Sequence, residues 1–220
     1  LADKNPGAYL PDVAMTQNNL GGLYTDLGRF EEAETAYTEA LDIRKELADK
    51  NPNAYIPDVA MTQNNLGNLY VNLGRNNDAI DCYNKALEID PEYIYAWYNK
   101  GNILYSLKRY EEAIECYNKA LEIDPEYIDG WLNKGAVLTL LKRYDQVTEC
   151  YDKSLALDRN YGIAWYNKAC LESLRNNKEK SIEFLKKAID LDKKYIGDAK
   201  TEEDFDNIRN SKEFKELIGE

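Results

Sequence analysis

Apolar and polar positions along this chain recur with the period of an α-helix. Trp97, Lys100, Gly101 and Leu104 fall at i, i+3, i+4 and i+7, one stripe of a helix; Ala113, Tyr117, Ala120 and Leu121 make a second. Read throughout, the pattern predicts helices at 12–27, 30–50, 58–73, 77–89, 92–107, 110–123, 126–141, 144–157, 160–174 and 178–191, with no strand. Asp90-Pro91 and Asp124-Pro125 should end one helix pair and begin the next, since Asp suits an N-cap and Pro a first turn.

The helices come in repeated pairs. Residues 78–94 and 112–128 differ at only two positions, Asp78/Glu112 and Asp81/Glu115. A 34-residue spacing is marked by Cys82, Cys116 and Cys150, by Trp97, Trp131 and Trp165, and by Tyr93, Tyr127, Tyr161 and Tyr195. Upstream the spacing is 46: residues 1–29 match 47–75 at 24 of 29 positions. The 12 extra residues, around Glu46–Pro57, are expected to lengthen the second helix of the first unit to Lys50, with Asn51-Pro52 as its stop. Leu1–Pro6 repeats Leu47–Pro52 and reads as the tail of a preceding unit. A unit that copies itself buries its apolar face against the next copy, which is the logic of a solenoid.

Gly21, Gly67, Gly101 and Gly135 hold one position inside successive first helices, and Ala169 holds it in the fifth. A mid-helix glycine costs about 1 kcal/mol against alanine, so a neighbouring helix is expected to approach closely there. The last stretch, 197–220, leaves the repeat. Phe205 and Ile208, then Phe214, Leu217 and Ile218, give two short apolar faces. They fit a terminal cap over the last core edge, or a segment that docks into the protein's own groove.

Charge and composition narrow the chemistry. The formal net charge is −12 and the sequence pI about 4.7, which disfavours nucleic acid and favours neutral or basic partners. There is no histidine, so the commonest metal ligand and general base is missing. No nucleophile–base set or phosphate loop can be assembled, and the expectation is a protein that is not an enzyme and holds no cofactor or metal. The cysteines read as small packing residues in a reducing, cytoplasmic compartment, and no stretch approaches the ~20 apolar residues of a membrane span.

Residues 94–127, with Trp97, Gly101, Tyr110, Ala113, Tyr117, Ala120 and Pro125, carry a pattern that resembles the tetratricopeptide repeat (TPR). The resemblance covers 14–195. The first two units, with Gln-Asn-Asn-Leu-Gly at 17–21 and 63–67 and long second helices, resemble those of kinesin light chains. Departures are Val147, Ser154 and Ser181 for small alanines, Asn76 for an aromatic, Glu172 for a late aromatic, and Lys108 and Lys142 for the turn glycines Gly28 and Gly74. The implied units are a remnant at 1–13, an extended repeat at 14–59, repeats at 60–93, 94–127, 128–161 and 162–195, and capping helices at 196–220.

The resemblance implies an all-α, right-handed α-solenoid of helix-turn-helix units with a C-terminal helical cap. Its concave face would be lined by the first helix of each unit, here Met15, Asn18 and Gly22; Met61, Asn64 and Asn68; Tyr95, Tyr98 and Asn102; Asp129, Leu132 and Ala136; and Ile163, Tyr166 and Cys170. Beside them runs one asparagine per unit: Asn19, Asn65, Asn99, Asn133 and Asn167. An amide offers donors and an acceptor, which suits the backbone of an extended peptide; it also suits a neighbouring helix. The lysine and arginine positions of the co-chaperone carboxylate clamp carry no cation here, so binding of a chaperone's C-terminal carboxylate is disfavoured. The expected function is a non-catalytic scaffold that binds a protein or peptide segment in the groove. The alternatives are a structural module that self-associates through an exposed edge near Leu20, Leu23 and Leu27, or an engineered array.

Overall fold

The structure, a computed structural model, describes the backbone of residues 6–220 and the side chains from Tyr9 onward. The expected remnant at Leu1–Pro6 therefore falls almost wholly outside the described residues. All regular structure among those residues is helical.

Helices alternate in antiparallel-type pairs joined by short turns. The chain divides into two compact units, residues 1–123 and 124–220. The first contains α1 (Pro6–Asp26), α2 (Phe30–Lys50), α3 (Pro52–Asn72), α4 (Asn76–Ile89), α5 (Ile94–Ser106) and α6 (Tyr110–Ile123). Each helix packs on the next, and α1, α3 and α5 also touch in sequence, so the first helices form one layer and the second helices another. The second unit contains α7 (Ile128–Leu140), α8 (Tyr144–Leu157), α9 (Gly162–Leu174), α10 (Lys178–Leu191), α11 (Lys194–Thr201), a 3-10 turn at Glu203–Phe205 and α12 (Lys212–Ile218).

The 12 extra residues are distributed differently from the expectation. Helix α2 does end at Lys50, seven residues longer than α4, but α3 also gains eight residues over α5 by starting at Pro52. The usual four-residue connection shrinks to Asn51 alone. Pro52 occupies the first turn, where its missing N–H is not needed. Pro57 then lies inside the helix on an exposed side, where the carbonyl it frees can meet water. Likewise α1 runs through Pro11 from Pro6 instead of starting near residue 12.

The Asp-Pro signals also act one step earlier than expected. Asp90 is the C-cap of α4, and its Oδ1 accepts the N–H of Glu92, closing a turn over Pro91; α5 starts at Ile94. Asp124 does the same with Glu126. The indoles of Trp97 and Trp131 donate to the carbonyls of Pro91 and Pro125 at 2.9 and 2.8 Å, pinning each turn to the helix that follows.

Within a pair the glycine expectation is met by an aromatic ring. A Cβ on Gly67 would lie 2.5 Å from Cε1 of Tyr83, and one on Gly101 would lie 2.6 Å from Cε1 of Tyr117. In the fifth pair Ala169 fits because Leu185, not tyrosine, stands opposite in the same core. The family departures are absorbed locally. Ser181 donates to the Ala169 carbonyl at 2.8 Å, Ser154 to that of Cys150 at 3.2 Å, and buried Glu172 accepts from Asn177 at 2.8 Å.

The C-terminal stretch is a cap whose apolar residues enter the core. Phe205, Ile208, Phe214 and Ile218 are buried with Leu185, Ala188 and Ile189 of α10 and with Tyr166, Ala169 and Cys170 of α9. Arg209 ties the tail shut by donating to the Glu202 carbonyl at 2.5 Å.

Candidate functional site

In the first unit the layer of first helices holds an open concavity of about 380 Å³ between α3 and α5. Its lining is Asn68, Val71, Asn72, Tyr83, Asn99, Asn102, Ile103 and Ser106, with no charged residue. The geometry follows from helical spacing: Asn68 and Asn72 are one turn apart on α3, and Asn99, Asn102, Ile103 and Ser106 share a face of α5.

The amides here are partly committed. The Tyr83 hydroxyl donates to Asn68 Oδ1 at 2.7 Å, and the Tyr117 hydroxyl donates to Asn102 Oδ1 at 2.8 Å. Burial pushes the Tyr83 phenol up, so it stays a donor at neutral pH. Asn99 donates through Nδ2 to Asn64 Oδ1 at 2.9 Å. Asn68 thus lines the concavity with its oxygen already used and its NH2 unspent, while Asn99 brings an unspent oxygen. A donor and an acceptor at one apolar-floored hollow match the two polar groups of a peptide unit.

The expected groove residues divide into groups. Asn68, Asn99 and Asn102 come together at this hollow. Asn18 and Asn64, by contrast, are buried and serve as acceptors between pairs: Asn65 donates to Asn18 at 3.1 Å as Asn99 does to Asn64. The neighbouring-helix role of these amides is therefore realised in the first unit. Tyr95 is exposed beside Tyr93, and Tyr98 is half-buried against the Tyr117 ring. Met15 and Asn19 are exposed on α1, and Gly22 and Met61 half-buried on α1 and α3.

In the second unit Asp129 is exposed, and Leu132, Asn133, Ala136, Ile163 and Asn167 are half-buried on α7 and α9. Tyr166 and Cys170 are not open. The Tyr166 ring stacks on Tyr195 at 5.1 Å and meets Phe205 edge-on at 5.7 Å, so the tail covers this face of α9. Tyr166 is a correction to the expected groove, caused by a contact with a residue 39 positions later.

Val71, Asn72, Ile103 and Ser106 were not anticipated. Their signal was present, because each stands one turn beyond an expected residue or its neighbour. The cysteines are buried, and burial pushes Cys82, Cys116 and Cys150 up to about 11. Thiols protonated at neutral pH are poor nucleophiles and poor metal ligands. Among the described residues no helix is long and apolar enough to cross a membrane, and no cluster of acidic or cysteine side chains is arranged to hold a metal.

Family profiles described as tetratricopeptide repeat match residues 1–46 and 12–92, 94–127 and 128–161, and 163–195. No curated protein matches the chain. Among solved structures, BtubC from P. vanneervenii is similar at 21% identity and a TM-score of 0.75, over 91% of this chain and 86% of that one. MamA aligns at 21% identity and 0.66, over 87% and 97%. YrrB, described as a TPR protein with an unusual peptide-binding site, aligns at 23% and 0.64, over 91% and 96%. At these identities the likeness shows a shared fold.

Proposed function

We propose, from the premise that the chain belongs to the tetratricopeptide repeat family, that it is a non-catalytic scaffold that takes an extended peptide segment on its inner helical layer. The family supplies the general role of protein interaction. The observation that carries the finer reading is the uncharged hollow at α3 and α5, with the Asn68 amide as donor and the Asn99 oxygen as acceptor. Such a site holds a peptide unit by about 1 kcal/mol per hydrogen bond and tolerates varied side chains. Val71 and Ile103 add apolar contact. Since the hollow has no cation, a terminal carboxylate gains nothing special there, and the acidic chain as a whole favours neutral or basic segments. A cytoplasmic setting suits the four free thiols.

The test is selection of random decapeptides on the intact protein, followed by affinity measurement on two variants. Asn68→Ala removes the donor, and Asn72→Trp fills the hollow from an exposed position. Selected peptides should bind near the micromolar range, roughly −8 kcal/mol. Both variants should weaken them several-fold, with little response to salt. Absence of enriched peptides, or affinities indifferent to both changes, would remove the site.

A further inference from the structure

A second open hollow, of about 300 Å³, lies where α2, α3 and α4 meet, and shares no lining residue with the one at Asn68. Leu41, Leu66 and Tyr70 give it an apolar floor, Lys45 and Lys85 stand exposed at its mouth, and Gln63 faces it from α3. Gln63 is 4% exposed, yet its amide makes no hydrogen bond to a described residue. A buried amide is ordinarily paired, because its lost hydration has to be made good. The repeat shows how the partner went missing. Forty-six residues earlier Gln17 donates to Glu39 at 2.6 Å, and the residue 46 beyond Glu39 is Lys85, which has no oxygen to accept with.

In later pairs an indole takes the place of Gln63: Trp97 stands 34 residues on, and Trp165 stands 102 on, three repeats away. The Trp97 N–H reaches the Pro91 carbonyl, and Lys100 lies 5.5 Å above its ring. Lys187 lies 4.5 Å above the Trp165 ring, and Lys187 is 102 residues beyond Lys85. The second pair thus keeps the lysine and lacks the ring. It also lacks a carbonyl like that of Pro91, because the matching residue of α2, Lys45, lies inside a continuous helix. An indole entering here would find Lys85 for its face and the unspent Gln63 oxygen for its N–H.

Charge selects what carries the indole. Glu34, which receives Tyr70 at 2.6 Å and Arg75 at 3.3 Å beside the hollow, also lines an exposed acidic face of α2 with Glu31, Glu39 and Asp42. We propose that the hollow at Gln63 takes the tryptophan side chain of a partner segment whose neighbouring residues are basic. The ring enters between α2 and α4, and the flanking cations meet the acids of α2.

The probe is a capped Lys-Trp-Lys tripeptide with fluorine on the indole, titrated with the full chain and followed by fluorine NMR. Saturable binding is expected with Kd of about 0.1–1 mM. A Gly-Trp-Gly probe should bind several-fold more weakly at low salt and converge with it at high salt. Gln63→Trp fills the hollow as the later pairs do and should abolish binding. Gln63→Leu keeps the volume and removes the acceptor: it should weaken the tripeptide about fivefold but leave a probe methylated at the indole nitrogen unchanged. The proposal is overturned by a lack of saturation below about 10 mM, or by equal loss of both probes in Gln63→Leu. It is also overturned if Asn72→Trp abolishes binding and Gln63→Trp does not, which would put the ring in the other hollow, or if free tryptophan binds more tightly than the tripeptide, which would make this an amino-acid site.

Discussion

The absent side chain of Gly101 lies against the ring of Tyr117: a methyl group there would come within 2.6 Å of the aromatic carbon Cε1. The tyrosine is fully buried and its hydroxyl is held by Asn102, so the ring has little room to retreat. Gly101→Ala should therefore destabilise the protein by about 1–3 kcal/mol despite alanine's better helix propensity. Combining it with Tyr117→Leu reproduces the Ala169–Leu185 arrangement, and the double variant should be more stable than the sum of the single losses. Urea denaturation of the four proteins measures the coupling. Strict additivity would count against the clash.

Asn99 and Asn64 tie neighbouring pairs together. Asn64 is buried, so Asn99→Ala leaves its carbonyl oxygen unsatisfied and should cost about 1–2 kcal/mol. Asn68→Ala lies at an exposed position and should cost under 1 kcal/mol. Thermal denaturation of the two variants separates the residue that holds repeats from the one that faces the hollow. A binding loss in an Asn99 variant has to be read against its stability.

Lys108 and Lys142 sit at φ values of 60° and 56°, where Gly28 and Gly74 stand in the first two pairs. The N–H of Arg109 reaches the Leu104 carbonyl and that of Lys108 reaches Tyr105, so the helix end requires the left-handed residue. A Cβ there costs about 1 kcal/mol or more. Lys108→Gly and Lys142→Gly should each raise the denaturation midpoint, additively, by the equivalent of roughly 0.5–1 kcal/mol once glycine's greater unfolded-state freedom is set against the relief. Calorimetry of the single and double variants checks this.

The buried thiols give stability a defined alkaline limit. Cys82, Cys116 and Cys150 are raised to about 11 by burial, while an unfolded thiol ionises near 8.5–9. The unfolded chain loses these protons first. Their contribution is fully present below the unfolded value and disappears as pH rises through the folded one, a window of roughly pH 9–11, with a slope of ~1.4 kcal/mol per pH unit for each proton. Urea midpoints should fall across that window, and replacing the three cysteines by alanine should flatten the fall. Native protein at pH 7.5 should react with a thiol reagent only as fast as it opens.

Much of this arrangement is legible in the residues. The recurring tryptophan, tyrosine and glycine positions give helix pairs and their spacing, and Gly101 announces a close approach before the ring of Tyr117 is seen. What escapes is tertiary. Pro57 reads as a helix boundary, yet on an exposed face past the first turn it costs a hydrogen bond that water replaces, so α3 runs through it. Asn64 and Asn68 have the same residue type one turn apart, and nothing local says that one faces a neighbouring helix and the other the hollow. Tyr166 looks like a groove residue until Phe205, far along the chain, is laid across it.

The glycine–tyrosine fit also bears on how such a chain can change its length. Gly67 and Tyr83, or Gly101 and Tyr117, belong to the same pair, so a DNA crossover that adds or drops a whole pair leaves each surviving joint matched. A crossover inside a pair is safe among the first four. Between the fourth and fifth it would set an alanine against a tyrosine, or leave a void beside a leucine. The arithmetic of expansion is thus written into which side chains were allowed to be small.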